Sequence, residues 1–151
     1  MQPASIPLYI FSDPICPWCY IGKARLDKAL LARPDHPFRI EWHPFQLNPT
    51  MPPEGMDRRA YMEAKFGGKK GAVTAYQPIV DAAEAEGRDF DLSAIKRTPN
   101  TLNALRLIHW AALEGVQPLV VDRLFKAYFA EGRDIGQDDV LADIGAEAGM
   151  A

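Results

Sequence analysis

The chain has two cysteines, Cys16 and Cys19, and they stand three residues apart in the run Cys16-Pro17-Trp18-Cys19. A secreted scaffold held by disulfides spreads several cysteines along its sequence to close large loops, whereas a pair this tight closes almost nothing. Its spacing points to reactivity rather than cross-linking. A chain of 151 residues can bury a core without covalent staples, so nothing forces the pair into a structural role.

The surrounding pattern decides how the pair is presented. Residues 7–12 (PLYIFS) are rich in β-branched and aromatic side chains and are bounded by prolines, which predicts a buried strand. Residues 18–31 place Ile21, Leu26, Leu30 and Leu31 near helical spacing and stop before Pro34 and Pro37. Residues 38–45 (FRIEWHPF) alternate Phe38, Ile40 and Trp42 against Arg39, Glu41 and His43, the pattern of a half-buried strand. A helix between two strands makes them parallel through the usual crossover.

Beyond a proline-rich loop at 48–55 the pattern is helical. Helices are predicted over 57–66, 70–86 with a kink at Pro78, 100–114 capped by Thr98-Pro99, 120–130, and a last one capped by Asp138. On these helices Leu102, Leu105, Ile108 and Ala112 share one face, and Trp110, Phe125 and Tyr128 read as core. The predicted organisation is therefore a βαβ part at 1–53 followed by a helical part at 54–151.

A dithiol catalyst needs one exposed, low-pKa thiolate and a second thiol close by to release the mixed disulfide. Strand, turn and helix in this order put Cys16 at a helix N-terminus, where unpaired N–H groups and the dipole favour its thiolate, and Cys19 inside the first turn. Pro17 suits the first helical position and Trp18 the substrate surface, so these two are read as tuning the pair. A zinc site would need two more ligands, and His36, His43 and His109 show no paired spacing, so no metal is predicted. The net charge of −3 has no long block of one sign, which argues against nucleic acid as partner. Residues 1–11 lack a basic leader and no later run could span a bilayer, so a cytoplasmic location and no membrane partner are expected.

Asp13, the CPWC run, residues 42–49 (WHPFQLNP), 99–107 (PNTLNALRL), Trp110-Ala111 and 140–149 (VLADIGAEAG) together resemble the FrnE-like branch of the DsbA family. That branch in turn is similar to the 2-hydroxychromene-2-carboxylate isomerases and kappa-class glutathione transferases. The resemblance implies an α/β fold: a thioredoxin-like βαβ half, an all-helical insertion, and a C-terminal ββα half with a cis-proline loop. That last half is missing from the sequence, so the chain reads as a fragment. Residues 115–121 (GVQPLVV) imitate such a loop but fall between two helices in the family's register. Leu105 stands where the family usually has a histidine.

By the same resemblance the expected function is thiol–disulfide exchange on a protein or small-molecule substrate, with Cys16 and Cys19 catalytic. Asp13, Asn48 and Asn100 become candidate substrate contacts. No cofactor is required, and glutathione is a possible substrate or reductant. The alternatives are a glutathione-dependent isomerase or transferase, and an interaction module that keeps the dithiol without a groove. Two parallel strands with open edges also predict self-association, as a homodimer, or a place within a longer protein.

Overall fold

The computed structural model describes residues 5–151. Strand β1 (Ile6–Ser12) and strand β2 (Phe38–Pro44) pair in parallel, Ile10 opposite Trp42, with helix α1 (Pro17–Ala32) crossing between them. Side chains alternate across this ribbon as predicted for β2, but β1 is not the buried strand its apolar run indicates: one face is covered by the core and the other leaves Tyr9 and Phe11 exposed. Ile10, Ile40 and Trp42 turn toward the core. Tyr9, Phe11 and His43 form the outer face, where the His43 ring stacks on Phe11 and meets the edge of Tyr9.

The helical part consists of α2 (Arg58–Phe66), α3 (Lys69–Ala85), α4 (Leu102–Leu113), α5 (Gln117–Phe129) and α6 (Asp138–Glu147). Asp57 caps α2 by accepting the Ala60 N–H, and Gly67 ends it in the left-handed conformation. Helix α3 continues through Pro78. Pro118 lies in the first turn of α5, and no cis peptide occurs among the described residues.

Two short strands, β3 (Met56–Asp57) and β4 (Arg97–Thr98), pair antiparallel. Thr98 therefore belongs to a strand and does not cap α4. That helix starts two residues later than the sequence indicates, at Leu102. Asp138 similarly falls inside α6, with Gln137 at the cap position.

A single main core spans both parts of the chain. Ile15, Tyr20 and Trp42 of the βαβ part pack with α4, α5 and α6, where Leu105, Leu124, Phe125, Tyr128, Phe129 and Ile144 are buried. Tyr20 stacks on Phe129 with ring centroids 5.0 Å apart, and a smaller cluster of Ile21, Ile79 and Ala83 joins α1 to α3.

Two sequence readings are corrected by this packing, and one charged side chain is drawn inside. Leu31 is 81% exposed, because α1 buries Tyr20, Ile21, Lys23 and Ala24 instead of its leucine face. Trp110 is 54% exposed, because α4 turns Ala104, Leu105, Leu107, Ile108 and Ala111 inward and leaves Leu102, Trp110 and Ala112 outside. Lys23 is buried because two carboxylates, Asp27 on its own helix and Asp122 on α5, meet its ammonium group.

Gln117 links the two parts by hydrogen bonds. Its side-chain oxygen accepts the Trp42 N–H, and its amide nitrogen donates to the carbonyls of Trp42 and Ile108. Both main-chain groups of Trp42 are thereby satisfied on the side of β2 that faces away from β1.

Candidate active site

Strand β1 runs directly into the turn that carries the cysteines. Cys16 is the N-cap of α1: its backbone is extended, and its sulfur accepts the Cys19 N–H at 3.3 Å. The Cys16 N–H donates to the Asp13 carbonyl at 2.9 Å, while the Cys16 carbonyl accepts from Cys19 and Tyr20. Pro17 opens the helix where an N–H would have no partner. Both cysteines are free thiols and partly exposed.

Their surroundings differ. Cys16 lines a cavity of about 340 Å³ with Pro17, Trp18, Leu47, Tyr61 and Met62, whereas Cys19 packs against the main core. Trp18 is half-exposed beside the opening. The cavity wall also carries the cations Arg58 and Lys65 and contains no carboxylate. Arg58 donates to the Tyr128 hydroxyl at 3.1 Å and lies over the Tyr76 ring, while Lys65 donates to the Tyr61 hydroxyl at 3.3 Å. Burial pushes the Tyr128 phenol up to about 12. Sequence reasoning missed this wall, although residues 58, 61, 62 and 65 share one face of an i, i+3, i+4, i+7 pattern that would have marked it.

The two sulfurs share one proton. The Cys16 thiol hydrogen-bonds the Cys19 sulfur, Ser12 adds a second hydrogen bond, and Cys19 is brought down to about 6. Cys16, left holding the proton beside a charged neighbour and partly buried, is pushed well up. The expected low-pKa thiolate is thus a property of the pair, and in this arrangement the charge lies on Cys19 rather than on Cys16.

This pair sets a pH dependence on the stability of the reduced protein. An unfolded thiol titrates near 9.0, so between about 6 and 9.0 the unfolded chain binds more protons than the folded one and stability rises with pH. Above 9.0 the sign reverses, because folded Cys16 keeps a proton that the unfolded chain releases. The oxidised protein lacks both titrations. The difference in melting temperature, reduced minus oxidised, is expected to climb from about pH 6 to a maximum near 9 and then fall, measurable by thermal denaturation of the two forms across that range.

The three candidate polar contacts have internal partners. Asp13 is 1% exposed, and its carboxylate accepts hydrogen bonds from Ile15 and Leu47 N–H and from the Thr101 hydroxyl. With its oxygens engaged inside the fold, it is not a surface for substrate. Asn100 accepts from Gln46 and from the Leu102 N–H and donates to the Met51 carbonyl, so it ties two points of the loop between β2 and β3 to the start of α4. Asn48 pairs with the Tyr61 hydroxyl of the cavity wall. The histidines lie elsewhere, His36 accepting the Phe38 N–H and His43 facing Glu41. No group of three or more potential metal ligands occurs among the described residues.

Comparison with known proteins agrees with this geometry. The family described as DSBA-like thioredoxin domain matches residues 8–151. The uncharacterised protein YwbO of Bacillus subtilis is 27% identical over 97% of this chain and 68% of its own length. A probable DsbA oxidoreductase from Streptomyces coelicolor has the same fold at a TM-score of 0.85, with 29% identity over 96% of this chain and 63% of that protein. The cytosolic disulfide reductase DsbM of Pseudomonas aeruginosa, solved with GSH, shares the fold at a TM-score of 0.67 and 20% identity, across 96% of this chain and 66% of DsbM. The chain thus spans about two thirds of the length of these relatives. With the matched region running through the strand, the CPWC turn and every helix, the chain belongs to the DsbA-like thioredoxin-domain family.

Proposed function

We propose that the protein exchanges thiols and disulfides through Cys16 and Cys19, with Cys16 as the attacking sulfur. The observation that carries this is the asymmetry of the pair: Cys16 caps the helix and opens onto the cavity, while Cys19 backs onto the core. The Cys16 thiolate attacks one sulfur of a substrate disulfide, a Cys16–substrate bond forms, and the other substrate sulfur leaves as a thiolate that takes up a proton. Cys19 then attacks the Cys16 sulfur, forming the Cys16–Cys19 disulfide and expelling the second thiolate. Two electrons pass from the dithiol to the substrate, and the reverse sequence oxidises a dithiol.

Before the first attack the shared proton moves from Cys16 to Cys19 along their hydrogen bond, with no change in net charge. Pro17 and Trp18 set the rate and potential without entering the bonds that change. We place the protein in the FrnE-like branch and in the cytoplasm, the compartment of DsbM. No membrane-crossing helix is found among the described residues.

A second reading draws on the cavity wall. Arg58 and Lys65 beside Cys16, with no carboxylate to neutralise them, suit a small thiol that carries carboxylates, such as glutathione. In that case the protein is a glutathione-dependent isomerase or transferase. The test is a disulfide-reduction assay started from the reduced protein with a model protein disulfide and no glutathione. Stoichiometric oxidation of the Cys16–Cys19 pair is expected. Reaction only after glutathione is added would favour the second reading, and none in either case would overturn both.

A further inference from the structure

Residues 58–70 (RRAYMEAKFGGKK) hold five of the chain's 17 lysines and arginines but one of its 20 carboxylates. In a chain of net charge −3, this segment is a basic strip on an otherwise acidic protein. Its cations stand in a pair at the start of each helix, Arg58-Arg59 on α2 and Lys69-Lys70 on α3, with Lys65 in the last turn of α2. Helix folding accounts for Lys65 alone, because the dipole favours a cation at a C-terminus and disfavours one in a first turn. Neither first turn holds an acidic residue to offset its pair. Ion pairing does not account for them either: among the described residues Arg59 meets Glu63 at 3.8 Å, and the other four meet no carboxylate.

The strip is joined to the reactive sulfur. Arg58 and Lys65 line the cavity that Cys16 opens onto, together with Trp18 and Leu47, while Arg59, Lys69 and Lys70 stand exposed outside it. We propose that α2 and the start of α3 form a docking surface for acidic polypeptides, which it brings to Cys16 by a disulfide flanked with aspartate or glutamate. The proposal rests on the exchange reading above and adds the substrate class. Charge complementarity selects the sign of the partner, and the spread of the cations selects a polypeptide. A small ligand enclosed beside Cys16 leaves three of the five cations unused, whereas an extended chain advancing about 3.3 Å per residue meets them in succession. Such a surface acts on the encounter, raising the association rate of acidic partners and lowering that of basic ones.

The test uses the reduced protein and three short peptides that differ only in the residues flanking one cysteine: acidic in the first, serine and asparagine in the second, lysine in the third. Each cysteine is held as a mixed disulfide with 2-mercaptopyridine. Attack by Cys16 forms the Cys16–peptide bond and releases 2-thiopyridone, which absorbance follows. Dividing each rate by that of the same peptide with 2-mercaptoethanol removes the peptide's own effect on its disulfide. At about 0.01 M salt, where the Debye length is about 30 Å, the acidic peptide is expected to react about tenfold faster than the neutral one, and the lysine peptide more slowly. At about 1 M salt, where that length is about 3 Å, the three rates are expected to converge.

Reversing Lys69 and Lys70 together, Lys69→Glu with Lys70→Glu, is expected to remove most of the acidic advantage. Glutamate in a first turn favours the helix, so α3 stays folded in this variant. Arg33→Glu, an exposed change at the far end of α1 from Cys16, is expected to keep the preference. Equal rates for the three peptides at low salt, a preference that survives the reversal of Lys69 and Lys70, or one that Arg33→Glu abolishes as well would overturn the proposal. So would glutathione, activated in the same way, outrunning the acidic peptide, since that would mark a site for a small anion. Failure of the exchange reading is distinguishable, because then none of the peptides reacts.

Discussion

Replacing Cys16 by serine is expected to abolish disulfide exchange, whereas the same change at Cys19 is expected to leave the first attack and stall the second. A serine hydroxyl stays protonated at neutral pH and forms no disulfide, so Cys16→Ser is expected to lower turnover by about three orders of magnitude, to the uncatalysed level. In Cys19→Ser the substrate sulfur bonded to Cys16 has no internal thiol to displace it, and a mixed disulfide accumulates. Intact-mass spectrometry of each variant after reaction with a labelled disulfide separates the two outcomes. A mixed disulfide trapped on Cys19 in Cys16→Ser, with turnover retained, would reverse the assignment. The geometry makes this a sharp test, because only Cys16 lines the cavity while Cys19 packs against the core.

The largest expected loss of stability outside the core side chains comes from Gln117→Leu. Leucine fills a similar space, but the Trp42 N–H and carbonyl lose the partners that Gln117 supplies, and Trp42 and Gln117 are both only 7% exposed. Each buried main-chain group left without a partner costs about 1–3 kcal/mol, so for the two groups of Trp42 the substitution should cost about 2–6 kcal/mol. For a domain of this size that is a fall of roughly 5–20 °C in melting temperature, measurable by circular dichroism. A loss under about 1 kcal/mol would mean that β2 satisfies these groups some other way.

Much of this molecule was legible in its sequence wherever a local pattern had one physical meaning. Alternation in residues 38–45 and the apolar run at 7–12 marked the parallel ribbon, and the CPWC run between strand and helix marked the site. Composition was silent where partners come from far away. The pairing of β3 with β4 involves two residues on each strand, too few for any periodicity to show. The burial of Lys23 depends on Asp122, which only the docking of α5 brings to it. Trp110 reads as core because it is large and apolar, yet the inward face of α4 is set by what packs there, not by which residue is greasiest. Asp13 reads as a polar residue beside a catalytic pair, available to substrate, until Leu47 and Thr101 arrive to occupy it. The sequence resemblance pointed to the right family and to the two cysteines of the turn, but it carried no information about which oxygen atoms were already spoken for.

The bond between Asp13 and Thr101 joins residues 88 positions apart. Contacts this distant in sequence close late, since the entropy of the intervening loop has to be lost before they form. As the chain emerges from a ribosome, the CPWC turn is exposed while α4 has yet to be made. The thiols therefore exist for a time before the carboxylate behind them is anchored, and in that interval only the local contacts of the turn and of α1 hold them. The turn is synthesised first and the support behind it is completed afterwards, when α4 docks.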